Sequence, residues 1–177
     1  MKIRNSEPFQ ANLWRDFFFA CYSFFIFNPC FASPSEINCL AATIFFEARG
    51  ESTQGQEAIA QVVMNRARVK AYPPSVCKVI KQPFQFSWYN PEYRTERVIN
   101  VLKGRLSGLN ALDRVAYQES KQIALRAYTG LIEPNPKLEN ALYFVHKSVT
   151  SKQQPWLKKL RFLKTIGKHR FYEEVRK

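Results

Sequence analysis

From residue 37 onward, apolar side chains recur at helical spacing: Ile37, Leu40, Ala41, Ile44, Phe45 and Ala48. This predicts a helix with one buried face. Ser33-Pro34-Ser35-Glu36 sets its start, with a capping-box spacing from Ser33 to Glu36 and proline at the first helical position, and Gly50 is placed to end it. A second helix is predicted from Thr53, with Gln56 three residues on, through Ala58, Ile59, Val62, Val63 and Ala67, and it should stop before Pro73 and Pro74. Residues 75–82 read as a short helix around Cys77, and 83–94 as a loop crowded with Phe84, Phe86, Trp88, Tyr89 and Tyr93. A third longer helix is expected over 95–106. A fourth runs from Leu112 through Val115, Ala116, Ile123, Ala124 and Ala127 to a stop at Gly130, after which Pro134 and Pro136 mark a loop.

After residue 140 the period changes from helical to alternating. Residues 142–145 read as a strand, and 163–166 and 170–172 flank a Gly167-Lys168 turn in hairpin style. The pattern predicts one α+β domain over 33–177, mostly helical with a small C-terminal antiparallel sheet. It contains no repeat, low-complexity segment or internal linker.

Residues 1–32 stand apart from this domain. Lys2, Arg4 and Arg15 precede an apolar run over 17–27, then Asn28-Pro29 and Cys30-Phe31-Ala32, the layout of a secretory signal peptide cut after Ala32. Such a run is too short to span a bilayer, which takes about 20 residues; a retained anchor or a buried helix is the competing reading. Export to the periplasm or cell envelope would leave Cys39 and Cys77 as the only cysteines of the mature chain, and an even pair in that setting suggests a disulfide. Two buried free thiols are the alternative.

The net charge of +13 points to a polyanionic partner: nucleic acid, anionic lipid or the bacterial envelope. Export favours the envelope and argues against nucleic acid. The basic positions cluster late, at Lys158, Lys159, Arg161, Lys164, Lys168 and Arg170, where they would contact anionic envelope polymers. An aromatic share of 15% suits a ligand cleft as well as a core.

Candidate chemistry narrows to glutamate. His146 and His169 lack metal-ligand spacing with each other or with the cysteines, so no metal and no cofactor is expected. Asp113 is the sole aspartate after residue 32, and no Ser-His-Asp arrangement can be built around it. Glu47 falls at the margin of the first helix's buried face. There, partial loss of hydration would raise its pKa and let it donate a proton near neutral pH. A solvated helix-end glutamate paired with Arg49 is the plainer reading of the same position. A second carboxylate is hard to find, so Glu47 is expected to act alone: Glu51, at the helix end beside Gly50, reads as solvated or structural, and nothing in the spacing of Glu57 recommends it. Trp88, Tyr143, Phe144 and Trp156 are candidates for stacking on sugar rings, and Gln85 and Ser87 for hydrogen bonds to sugar hydroxyls or acetamido groups; core packing and loop satisfaction compete with these roles.

Four segments, taken in order, carry a family resemblance: Glu-Ala-Arg-Gly-Glu at 47–51, Asn65-Arg66, Gln85-Phe86-Ser87-Trp88, and Lys-Thr-Ile-Gly-Lys-His-Arg-Phe at 164–171. Together they resemble the SleB-like, spore-cortex-lytic type of cell wall hydrolase, over roughly 36–172. The resemblance implies a lysozyme-like or resuscitation-factor-like domain, monomeric, that cleaves the MurNAc-GlcNAc bond of peptidoglycan glycan strands as a lytic transglycosylase, with Glu47 as the catalytic residue. A non-catalytic peptidoglycan-binding envelope module and a phage-type endolysin with muramidase activity are the alternatives.

Overall fold

The computed structural model describes residues 33–175, and the expected leader, 1–32, lies outside them. Five helices come first: α1 Pro34–Ala48, α2 Thr53–Arg68, α3 Val76–Ile80, α4 Glu96–Leu102 and α5 Ala111–Tyr128. Three strands follow, β1 Tyr143–His146, β2 Leu160–Ile166 and β3 His169–Glu174, in the order β1-β3-β2 with both pairings antiparallel.

The helix boundaries follow the expected pattern, but three ends use different chemistry. Ser33 makes no cap to the backbone; its Oγ meets Ser35 Oγ at 2.8 Å. Glu36, expected to complete a capping box, instead accepts from the backbone N–H of Cys77 at 3.2 Å. A donor far along the chain has won the carboxylate. The α2 cap is Ser52, one residue before the expected start, accepting from Gly55 N–H while the Gln56 amide donates back to the Glu51 carbonyl. The helix expected over 95–106 stops at Leu102, because Gly104 takes φ 72° and the N–H groups of Arg105 and Gly104 turn back to the carbonyls of Asn100 and Val101. Gly130, the stop read for α5, closes that helix in the same way, with Leu131 and Gly130 donating to Arg126 and Ala127.

The face of α1 predicted to be apolar is buried at the centre of the helical part. Leu40, Ala41, Ile44 and Phe45 have no exposed surface and pack with Val63, Val76, Val79, Ile80, Val101 and Tyr117 from the other helices. The Tyr117 hydroxyl donates to the Val101 carbonyl at 3.0 Å, and burial pushes its pKa up to about 12. Cys39 and Cys77 form a disulfide, with 5.3 Å between their Cα atoms, that ties α1 to α3. On the chain-entropy account a bridge closing a loop of this length contributes about 4 kcal/mol.

A second apolar cluster joins helices to sheet. Ala48, Ala58, Ile59 and Val62 meet Leu138, Ala141, Ile166 and Phe171 there. The junction is also held by polar side chains of α2 that grip the backbone leading into β1. The Asn65 amide donates to both Leu138 and Ala141 carbonyls, at 2.9 and 3.0 Å, and Arg66 Nε donates to the Leu142 carbonyl at 2.7 Å. These bonds satisfy buried carbonyls that would otherwise lose water without compensation. They explain why amide and guanidinium stand side by side at 65 and 66.

Candidate active site

Glu47 lies in the last turn of α1, between Phe46 and Ala48. Its environment is built by α1, α2 and the segment after α3. The Phe46 ring stacks on Trp88 at 4.8 Å and 23°, and Trp88 in turn packs against Phe86 and, edge-on, Tyr89. The Trp88 indole N–H is buried and has no hydrogen bond of ordinary geometry, yet it lies close enough to the Glu47 carboxyl to favour the carboxylate.

Opposite stands Arg66. Its guanidinium carbon lies 5.7 Å from the ring centres of both Tyr72 and Phe86 and 5.9 Å from that of Tyr143. Rings at this distance offer their negative faces to the cation. Arg66 is itself buried, and one terminal nitrogen, Nη1, has no partner. Burial lowers its pKa, and Tyr72, Tyr143 and Glu47 oppose that effect.

The carboxyl of Glu47 is therefore pulled two ways. Loss of hydration dominates and pushes its pKa up to about 7, while the Trp88 N–H and the charge of Arg66 pull it back. Glu47 retains some solvent contact, so an incoming molecule can reach it. A carboxyl poised near neutrality can both give and take a proton, which a normal glutamate at pH 7 does poorly.

The expected partners are distributed unevenly around this centre. Tyr143 reaches it: its ring faces Arg66, its hydroxyl donates to Glu174 at 2.8 Å, and burial with Tyr72 and Glu174 alongside raises its pKa above the usual phenol range. Trp156 lies one ring further out, 6.0 Å from Tyr143, with its N–H fixed on the Gln154 side chain at 2.7 Å. Trp88 lies at the centre itself. At 9% exposure its ring is committed to Phe46 and its neighbours, so it offers Glu47 an N–H rather than offering a sugar its face. Gln85 and Ser87 are exposed on the same segment.

The two carboxylates weighed as a second acidic group have other surroundings. Glu51 accepts from the backbone N–H of Lys168 at 3.0 Å in the turn between β2 and β3. Glu57 stands two and a half turns before Arg66, on the opposite side of α2, where it lines a cavity of about 450 Å³ with Gln54, Gln61, Arg68 and Glu133. Asp113 bridges Arg49, at 3.4 Å, and Arg97, at 2.6 Å, and these two arginines cover the ring of Phe45. Arg49, the plain partner considered for Glu47, is thus engaged elsewhere. Sequence reasoning gave no role to Arg66 or Tyr72; the signal available for Arg66 was a cation spaced to fall on the buried face of α2.

The Cell Wall Hydrolase family model matches residues 50–172, starting three residues beyond Glu47. Spore cortex-lytic enzymes are similar to this chain: that of Bacillus subtilis (strain 168) is 30% identical over 80% of the chain, and that of Bacillus cereus 27% over 78%. The chain spans 38% and 44% of the lengths of these two relatives. Among solved structures, the catalytic domain of the germination-specific lytic transglycosylase SleB from Bacillus anthracis superposes with TM-score 0.55 at 26% identity, covering 80% of this chain and 96% of that domain. The catalytic domain of Bacillus cereus SleB gives the same TM-score and identity, covering 78% and 90%. With the family model spanning well over half its length, this chain belongs to the cell wall hydrolase family.

Proposed function

We propose that the protein cleaves the glycan backbone of peptidoglycan as a lytic transglycosylase, with Glu47 as acid and then base. The observation that carries this reading is the Glu47 carboxyl set between the Trp88 N–H and the Arg66 cation, with its pKa near 7. Paired-carboxylate glycosidases need a second acidic group as nucleophile or to activate water. Glu51 and Glu57, the two carboxylates expected nearest, are placed elsewhere.

In the first step protonated Glu47 donates to the glycosidic oxygen, the bond from the muramic acid anomeric carbon to that oxygen breaks, and the neighbouring sugar leaves with a free hydroxyl. Glu47 is now a carboxylate, stabilised by Arg66 and Trp88. In the second step it takes the proton of the muramic acid 6-hydroxyl while that oxygen closes on the anomeric carbon. The product carries a 1,6-anhydro ring, Glu47 is protonated again, and no water is consumed. The likeness to the catalytic domain of the germination-specific lytic transglycosylase SleB from Bacillus anthracis supports this reading. Export to the envelope, action as a monomer and peripheral contact of the basic positions around β2 with anionic wall polymers are part of the same proposal.

Mass spectrometry of fragments released from purified peptidoglycan tests the reaction. Muropeptides should be one water lighter than reducing-end products, and the rate should fall as pH rises through about 7. Glu47→Gln should abolish release. Reducible muramic acid ends throughout, or full activity of Glu47→Gln, would overturn the mechanism; wall binding with no release by the native chain would favour a binding module.

A further inference from the structure

β2 is an edge strand, and its register with β3 shifts between Phe162 and Lys164. Side chains alternate along a strand, so without that bulge Phe162 would share a face with Lys164 and Ile166, and Ile166 is buried against the helices. The bulge turns Phe162 to the outer face. There it pairs with Tyr172, which on its other side pairs with Tyr143. Three aromatic residues thus share one register position across all three strands, with the Phe162 and Tyr172 rings 5.6 Å apart and edge-on; Tyr172, at 7% exposure, lies beneath as a support, and Phe162 is the exposed end. The row begins at Tyr143, beside Arg66, and ends at Phe162, which is 52% exposed although it is a large apolar side chain with a place in the core one register step away. Trp156, 39% exposed, flanks the row at Tyr143.

We propose that this outer face is a second saccharide-binding surface, on which Phe162 and Trp156, supported by Tyr172 and Tyr143, carry the stretch of amino-sugar strand that extends beyond the Glu47 cleft. The inference rests on reading that cleft as glycan-cleaving and adds to it where the rest of the polymer lies. Three observations select a glycan strand as occupant. The row is continuous with the cleft through Tyr143. Pyranose rings present flat apolar C–H faces that suit aromatic surfaces while their hydroxyls stay in water, as other amphipathic contacts do. Lys158 and Lys159, exposed next to Trp156, match the carboxylates that muramic acid and its peptides bear.

The test uses the full chain with Phe162→Ala, Phe162→Leu and Phe162→Tyr. Co-sedimentation with purified peptidoglycan is measured in a Glu47→Gln background, so that the wall stays intact. Phe162→Ala and Phe162→Leu should weaken binding about three- to tenfold, the size of one aromatic contact, and Phe162→Tyr should restore it. In the active background, kcat/KM on long glycan strands should fall several-fold more than on tetrasaccharide fragments. Leucine binding as well as phenylalanine would reduce the position to packing and overturn the proposal, as would an equal loss on long and short substrates. Turnover that depends on Glu47 while binding ignores Phe162 rejects this surface alone; absence of turnover in the native chain rejects the reading of the cleft.

Discussion

The helical part and the sheet solve different problems with different materials. Around α1, regular apolar spacing, left-handed glycine stops and a disulfide fix a dry interior in which Leu40, Ile44 and Phe45 have no solvent contact. That dryness, reaching the last turn of α1, is what lifts the Glu47 pKa. The sheet is small and bulged; Phe171 and Tyr172 are buried in it, while Phe162 at its edge and Trp156 beside it remain partly in water. One region stores a proton and the other presents a surface. They meet through α2, whose Asn65 and Arg66 bond to the backbone that enters β1. The lesson is that a tuned acid and a wide polymer surface place opposite demands on packing, and a single chain meets both by dividing them between two kinds of secondary structure.

Removing the disulfide is the strongest way to test whether the two parts stand or fall together. Cys39→Ser should lower unfolding stability by as much as about 4 kcal/mol. In urea, the helical signal by circular dichroism and the fluorescence of Trp156, read with Trp14 and Trp88 replaced by phenylalanine, should move to lower midpoints together. Separate midpoints would show that the sheet unfolds by itself, and the division would be one of folding as well as of function.

Glu47→Gln sharpens the comparison from the other side. A carboxyl whose pKa is raised on folding contributes nothing unfavourable below its unfolded value, near 4.5, and costs stability as pH rises through about 7. The variant should therefore be more stable than the native chain at pH 8, by up to about 3 kcal/mol, and equal to it at pH 4. Urea titrations at the two pH values measure this; an unchanged difference would mean that the carboxyl is not held in a dry site.

Much of this division was legible along the chain. The apolar spacing of α1 and α2, the stop at Gly130, the hairpin around Gly167 and the position of Glu47 at the edge of a buried face all follow from periodicity and turn chemistry. What periodicity could not supply were partners chosen in three dimensions. Glu36 left its own helix for Cys77, and Gly104 cut α4 short although its neighbours read as helix. Arg66 gained its meaning only when Tyr72, Phe86 and Tyr143 closed around it, and the packing of Trp88 on Phe46 likewise depends on two separate segments. The bulge that turns Phe162 outward depends on the pairing of two strands and leaves no mark in either alone.

The smallest expected effect concerns the hairpin turn. Gly167 has φ 58°, and a Cβ there would run into the Glu51 carboxylate that holds Lys168. Gly167→Ala should cost about 2 kcal/mol in urea unfolding, from left-handed strain and the clash together. Adding Glu51→Ala should recover the part due to the clash and leave the strain. Full additivity of the two changes would show that they do not touch.

That contact also bears on inheritance. Glu51 and the turn it holds are 117 positions apart at Lys168, so they belong to different motifs on paper and to one object in space. A lineage that replaced the glycine first would meet both penalties at once, while one that shortened the glutamate first would lose a single hydrogen bond and then be free to vary the turn. Change at the two positions is therefore easier in one order than in the other, glutamate before glycine.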